Sequence, residues 1–331
     1  MYSKYRFVIL GINMIVYMML MAILVSFSIS GPMLMKEFNL TNIQLNYGYI
    51  AFTTGLVVSL WWGGRFFDRY GMKKTMILGS LLFLIPQFLI PFVKNWNIIL
   101  FLRFIQGNVV SMFPGFVTLN SLWFPKKEHG LASGIFMGGL SLGTAVGNYL
   151  CSKILPIFGW KNTFQALGVL ALLLIILWFV FSQKKPPVNL EKKIEINRKE
   201  GNTFVNTTIY KNPITWLLAI IMLGNCWQLY AMYGVTQNML FDYGYSLETV
   251  GLLCLILGII GVFSTPAGGI ISDKISTVLN ITKARIVSML IGFIIAFFST
   301  LLCPFLVKIN FNIAIFAMIF MGMGVPWTNG P

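Results

Sequence analysis

The chain has 331 residues, of which 57% are apolar and only 10% charged, and it carries a formal net charge of +15. Such a balance excludes an ordinary soluble enzyme, whose charged fraction is about a quarter. The cations are confined to short gaps between apolar runs, which is how membrane orientation is encoded, so the positive charge speaks for topology and against a nucleic-acid partner.

Phe7 to Ser30 is uncharged and would extend about 36 Å as a helix, enough to cross a bilayer and too long for the apolar core of a signal peptide. A second span is expected from about Gln44 to Phe67 and a third from about Thr75 to Val93. Asn39-Leu40-Thr41, just before the second span, is a glycosylation sequon, meaningful only in a eukaryotic protein. Gly64 to Lys74 then sets an acid and four cations beside two glycines. Such a polar turn is too costly to place in hydrocarbon and belongs at a membrane surface. The fourth span, about Ile98 to Leu122, holds Arg103, the one formal charge well inside an apolar run. After a loop over Trp123 to Gly130 comes a glycine-rich fifth span, Leu131 to Leu150; Pro156 to Asn162 turns the chain into a sixth, about Thr163 to Phe181.

Composition changes abruptly at Ser182. Residues 183–212 form a solvated linker with clustered Lys, Arg and Glu and a Pro186-Pro187 pair, dividing the chain into a six-helix half, 1–182, and a second half, 213–331. Four further spans follow, near 214–241, 247–271, 286–307 and 313 to the end, making ten. With the N-terminus on the cytoplasmic side, 18 of the 24 Lys and Arg residues lie in cytoplasmic segments and five on the other side, Arg103 being the remainder. That asymmetry puts the N-terminus, the Gly64–Lys74 turn and the linker in the cytoplasm.

The turn reads Gly64-x3-Asp68-Arg69-x-Gly71-x-Lys73-Lys74, and a partial copy, Gly269-x3-Asp273-Lys274, stands 205 positions later, between the second and third spans of the second half. This pattern resembles the signature loop of the major facilitator superfamily of membrane transporters. The resemblance extends to Arg103-x-x-Gln106-Gly107 in the fourth span and to Gly159-Trp160 with Phe164 at the start of the sixth. It implies an all-α polytopic membrane protein with the major facilitator fold, built as two six-helix halves, the second incomplete in this chain because ten spans are counted where the family has twelve. It implies alternating access, with the substrate site between halves near the bilayer midplane. In that picture the two loops act as conformational latches of Gly64, Asp68, Arg69, Gly71, Lys73 and Lys74, and of Gly269, Asp273 and Lys274, with Asp273 expected near Gly130 and Leu131. Ordinary topogenic charge is the plainer reading of the same residues.

Gly134, Gly138, Gly139, Gly143 and Gly147 recur about four apart in the fifth span and are expected to pack against a neighbouring helix. The family's antiporter motif would add a proline here, and this chain lacks it. Arg103 has two readings, an anion ligand in the cavity or a partner for backbone carbonyls. All nine acids fall in loops or at span ends, which disfavours a carboxylate proton relay and cation substrates and favours an anion or a neutral solute. Cavity candidates are Tyr17, Arg103, Gln228, Tyr230, Tyr233, Trp327 and Asn329, with an interhelical hydrogen bond or an interfacial aromatic as the plainer role for each.

The four cysteines stand singly and there is one histidine, so neither a metal site nor a cofactor is expected. Gly139-Leu140-Ser141-Leu142-Gly143 fits a hydrolase pattern, but it needs a strand, turn and helix around it and here falls within a membrane helix, so no catalysis is expected. The expected function is transport of a small solute: a mono- or dicarboxylate by exchange or symport, or else a sugar or amino-acid derivative. A non-transporting receptor would keep the same fold. Its partners are the small-molecule substrate, the bilayer and a coupling ion that the sequence does not name.

Overall fold

The structure is a computed structural model and describes residues 4–125, 129–182 and 236–328, with isolated helical residues at Pro213, Trp216, Leu217, Ile220 and Gly224. Every element among these residues is helical. The α-helices are α1 Tyr5–Ile29, α2 Gly31–Phe38, α3 Asn42–Tyr70, α4 Met72–Leu89, α5 Trp96–Gly107, α6 Phe113–Trp123, α7 His129–Phe181, α8 Thr236–Asp242, α9 Leu247–Ser276, α10 Ile281–Ile309 and α11 Phe311–Trp327. The linker 183–212 and most of the seventh span lie outside the described residues.

Six stretches are long and apolar enough to cross a membrane: Tyr5–Ile29, Met72–Phe92, Trp96–Trp123, Gly134–Phe181, Leu247–Ser276 and Lys283–Ile309. The difference from ten has a physical origin. Gly134–Phe181 holds two spans, α3 is diluted by Asn, Tyr, Thr and Gly, and the apolar part of α11, Ile313–Trp327, is short; the remaining one, the seventh, lies mostly outside the described residues.

Local chemistry sets the boundaries. Thr41 and Gln44 form a capping box: the Thr41 side chain accepts from the Gln44 N–H at 3.3 Å, and the Thr41 N–H donates to the Gln44 side chain at 2.9 Å. Two orphan donors of α3 are thereby satisfied. The polar turn expected over Gly64 to Lys74 shrinks to one residue. Gly71, at φ 82° and ψ 172°, joins α3 to α4 in a backbone conformation that a Cβ disfavours, while Gly64 to Tyr70 stay helical and Lys73 and Lys74 sit in the first turn of α4. The turn expected over Pro156 to Asn162 is likewise a single break inside α7, at Gly159 with φ 71° and ψ 167°.

The fourth span differs most from a continuous helix. A 3-10 segment, Asn108–Met112, separates α5 from α6. Pro114, in the first turn of α6, has no N–H to give and its ring crowds the carbonyl four residues back, at Val110.

The residues pack as two compact units. The first holds the chain to residue 184 together with 238–255, and the second is built on 256–331. Ile9, Val16 and Ile23 of α1, Phe83 of α4, Phe116 of α6, and Phe136 and Trp178 of α7 form the core of the first unit. Gly139, Gly143 and Gly147 lie against Met14, Met18 and Ala22 of α1, one turn apart on both helices, so the two backbones meet along a shared stripe. Gly134 and Gly138 face open space instead.

Candidate functional site

Arg103 is 1% exposed, and its guanidinium carbon lies 4.2 Å from the centre of the Phe27 ring and 4.7 Å from that of Phe52. Its Nη1 donates to Gln106 Oε1 at 2.7 Å. Gln106 Nε2 then donates to Gln87 Oε1 at 2.7 Å, and Gln87 Nε2 to the Phe164 carbonyl at 2.9 Å. Both glutamines are fully buried. The chain therefore runs from α5 through α4 to the start of the sixth span, and its direction is forced. Arginine can only donate and a carbonyl can only accept, so each amide must turn its oxygen toward the cation.

A second buried set holds α1, α6 and α7 together. Asn13 Nδ2 donates to Asn120 Oδ1 at 2.7 Å, and Trp178 Nε1 donates to Asn13 Oδ1 at 2.6 Å. Tyr17, one turn on from Asn13, stacks on Phe136 with centroids 4.8 Å apart and meets Phe113 at 6.0 Å.

At the end of α3 remote from Gly71, Lys153 pairs with Glu248 and Asn42 Nδ2 donates to Asp242 at 3.3 Å. A Cβ on Gly251 would run into the side chain of Ser152, so α7 and α9 touch closely there. Nearby, Glu37 of α2 accepts from Trp160 Nε1 at 2.5 Å and from Lys161 at 2.6 Å. Partial burial pushes the Glu37 carboxyl up, but these two hydrogen bonds and the Lys161 charge outweigh it, and its pKa falls below the ordinary 4.5.

The second unit shows what the first would be without its charge. Gly107 is the point where α5 meets α3: a Cβ there would lie 2.9 Å from the Leu56 nitrogen and 3.0 Å from the Phe52 carbonyl carbon. Gly322 of α11 does the same on α9, with Leu257 Cδ2 at 3.1 Å, and Leu257 stands 205 positions after Phe52, the spacing of the two latch motifs. A second contact gives the same register to within one residue. Gly63 packs on Ser111, and Gly268, again 205 positions on, packs on Trp327. In this register Arg103 corresponds to Met318 and Gln106 to Met321, both 1% exposed. One helix crossing is thus built twice, once around a cation and once around thioethers.

Of the cavity candidates, Tyr17 and Trp327 are each 8% exposed and Arg103 is 1% exposed. Trp327 Nε1 donates to the Ser288 carbonyl at 3.1 Å and its Oγ at 3.3 Å, tying α11 to α10. Gln228, Tyr230, Tyr233 and Asn329 lie outside the described residues. Around the α3–α4 turn Arg65 stacks on Trp61 and Arg69 and Lys74 flank Tyr70, while burial pushes the pKa of the exposed Asp68 upward. Gly269, Asp273 and Lys274 lie in the last two turns of α9. Gln87, Asn120 and Trp178 belong to polar sets that the sequence reading did not single out. A lone glutamine within the third span was the available signal, since a buried arginine needs acceptors. Ser141 lies in the helical interior of α7, so the hydrolase pattern has no strand or turn around it.

Curated relatives match most of this chain's length. A probable galactarate/D-glucarate transporter of Escherichia coli K12 is 26% identical over 348 residues, covering 96% of this chain and 78% of its own. A probable sulfoacetate transporter of Cupriavidus necator is 26% identical over 82% of this chain, and a hexuronate transporter of Bacillus subtilis is 24% identical over 75% of it. The chain spans 66% and 60% of the lengths of those last two. Among solved structures, a partially occluded, inward-open xylose transporter from E. coli matches 99% of this chain and 83% of its own with a TM-score of 0.70 at 16% identity, a likeness of fold. The model of the Major Facilitator Superfamily matches residues 7–331, and the chain belongs to that family.

Proposed function

We propose that this chain is the membrane body of a carrier that moves a small organic anion, a mono- or dicarboxylate in the first instance, by alternating access. The observation that carries the reading is the one-sided cation: Arg103 is held in a polar chain at a crossing that the second unit builds with Met318. The fold can make this contact without a charge, so the charge has another use. Inside low-dielectric protein a guanidinium acts beyond contact. At an effective dielectric of about 20, a unit charge roughly 8 Å away gains about 2 kcal/mol, or about thirtyfold in affinity. Relatives named for sulfoacetate, hexuronate and galactarate or D-glucarate fit the same chemistry, each of these being a small anion.

A second reading, a carrier of a neutral metabolite with Arg103 as a bundle strut, draws on its burial between Phe27 and Phe52. In both readings the N-terminus and linker face the cytoplasm and Asp68 and Asp273 latch that side. Uptake and counterflow of labelled glucarate, glucuronate, sulfoacetate and nitrate, beside xylose and glucose, in sealed proteoliposomes separates the two. Saturable anion uptake that is trans-stimulated and weakened by Arg103→Ala supports the anion carrier. Uptake of sugars alone, or anion uptake indifferent to Arg103→Ala, would refute it.

A further inference from the structure

We infer that Gln87, acting through Gln106, is a positioning residue that fixes the Arg103 guanidinium for anion selection, an assignment that rests on the anion reading above. The geometry is specific. Three consecutive hydrogen bonds of 2.7, 2.7 and 2.9 Å link the guanidinium to one backbone carbonyl, and every side chain in the path is at most 1% exposed. The Phe164 carbonyl anchors the far end and sets the orientation of both amides, so their dipoles line up with oxygens toward the cation. Aligned dipoles in a low-dielectric interior reinforce one another. They stabilise a charge that would otherwise be costly to bury and hold its planar fork in one orientation.

The internal repeat separates this role from plain packing. In the second unit, Met321 takes the position of Gln106 and Met318 that of Arg103, and both are as deeply buried. Helix packing at this crossing therefore tolerates thioethers, and the amides serve the charge.

The chain also predicts a signature that a space-filling role would lack. A glutamate at position 87 can donate to the Phe164 carbonyl only while protonated. Ionised, it would set a second acceptor against that carbonyl and leave Gln106 Nε2 as the sole donor to it.

The test is uptake kinetics of reconstituted Gln87→Met, Gln87→Glu and Arg103→Ala proteins with labelled glucarate, glucuronate and nitrate, each rate normalised to folded protein. Gln87→Met is expected to raise KM for the transported anion about fivefold, the scale of one hydrogen bond between neutral groups, with maximal rate near that of the parent. Gln87→Glu is expected to transport near the parental rate in acid and to lose affinity as pH rises, a limb that the parent lacks. Should Gln87→Met fail to fold, the pH profile of Gln87→Glu decides alone. An unchanged KM in Gln87→Met, or a Gln87→Glu profile parallel to the parent's, overturns the positioning role. Parental anion KM in Arg103→Ala, or no anion uptake by the parent protein, refutes instead the reading beneath it.

Discussion

A methyl group added at Gly143 tests the α1–α7 crossing directly. The Cβ of Gly143→Ala would lie 2.7 Å from Met18 Cα and 2.9 Å from its carbonyl carbon, and closer still to its carbonyl oxygen. Carbon atoms settle at about 3.5–4.0 Å, so the two helices must part by roughly 1 Å along a stripe that also carries Gly139 and Gly147. The obstacle is backbone, with no side-chain rotamer to relieve it. Overpacking of this kind costs about 1–3 kcal/mol. Gly134→Ala is the control, because nothing lies within 4 Å of its Cβ and an alanine in a helix gains about 0.5–1 kcal/mol over glycine. Thermal unfolding of the purified proteins in one detergent should give melting temperatures in the order Gly134→Ala, parent, Gly143→Ala. A Gly143→Ala protein as stable as the parent, or less affected than Gly134→Ala, would refute the close-approach argument.

Further outcomes follow from the polar contacts. Because the Glu37 carboxyl titrates below its ordinary 4.5, its contribution is present above that pH and disappears as pH falls through the lowered value. Glu37→Gln should thus be less stable than the parent by under about 1 kcal/mol near pH 7, since the pair is partly exposed, with the difference vanishing in acid unfolding curves once pH falls below the lowered pKa. Lys153→Glu and Glu248→Lys should each change the uptake rate and the double reversal should restore it; because both side chains are exposed, high salt should shrink all three effects, and a salt-insensitive change would exclude an ionic origin. Asp68→Asn and Asp273→Asn should each stall transport at normal membrane levels, and full activity in both would remove the latch.

The sequence discloses those features whose cause is local. Span positions follow from apolar runs, and Gly71 and Gly159, at which the chain breaks between the second and third and between the fifth and sixth spans, both lie inside the turns expected from composition. Their extent does not follow, because a charged residue can extend a helix past the apolar run, as Arg69 does at the end of α3. The α2 helix went unpredicted, since Gly31-Pro32 reads as a turn although Pro32 sits well in a helix's first turn. Helical spacing shows which residues share a side and says nothing of what lies opposite. Asn13 and Tyr17 do share a side, yet Asn13 meets Asn120 and Trp178, far along the chain, while Tyr17 meets aromatic rings. Trp327 illustrates the same limit: its indole finds a carbonyl on α10 that no spacing rule identifies.

The division of the fourth span gives these contacts a mechanical setting. The 3-10 segment Asn108–Met112 falls between Gln106, a link of the Arg103 chain, and Asn120, in the set with Asn13 and Trp178. Each half of the span is therefore tied to different neighbours: α5 to α4 and the start of the sixth span, α6 to α1 and the far end of α7. At the break itself Trp62 of α3 donates to Asn108 Oδ1 at 3.0 Å, and Asn108 returns its own N–H groups to Phe104 and Ile105 carbonyls that the tighter turn leaves exposed. An unbroken helix would couple the two polar sets rigidly through one continuous ladder. In the 3-10 segment the chain tightens to three residues per turn, which sets the phase between the two polar sets.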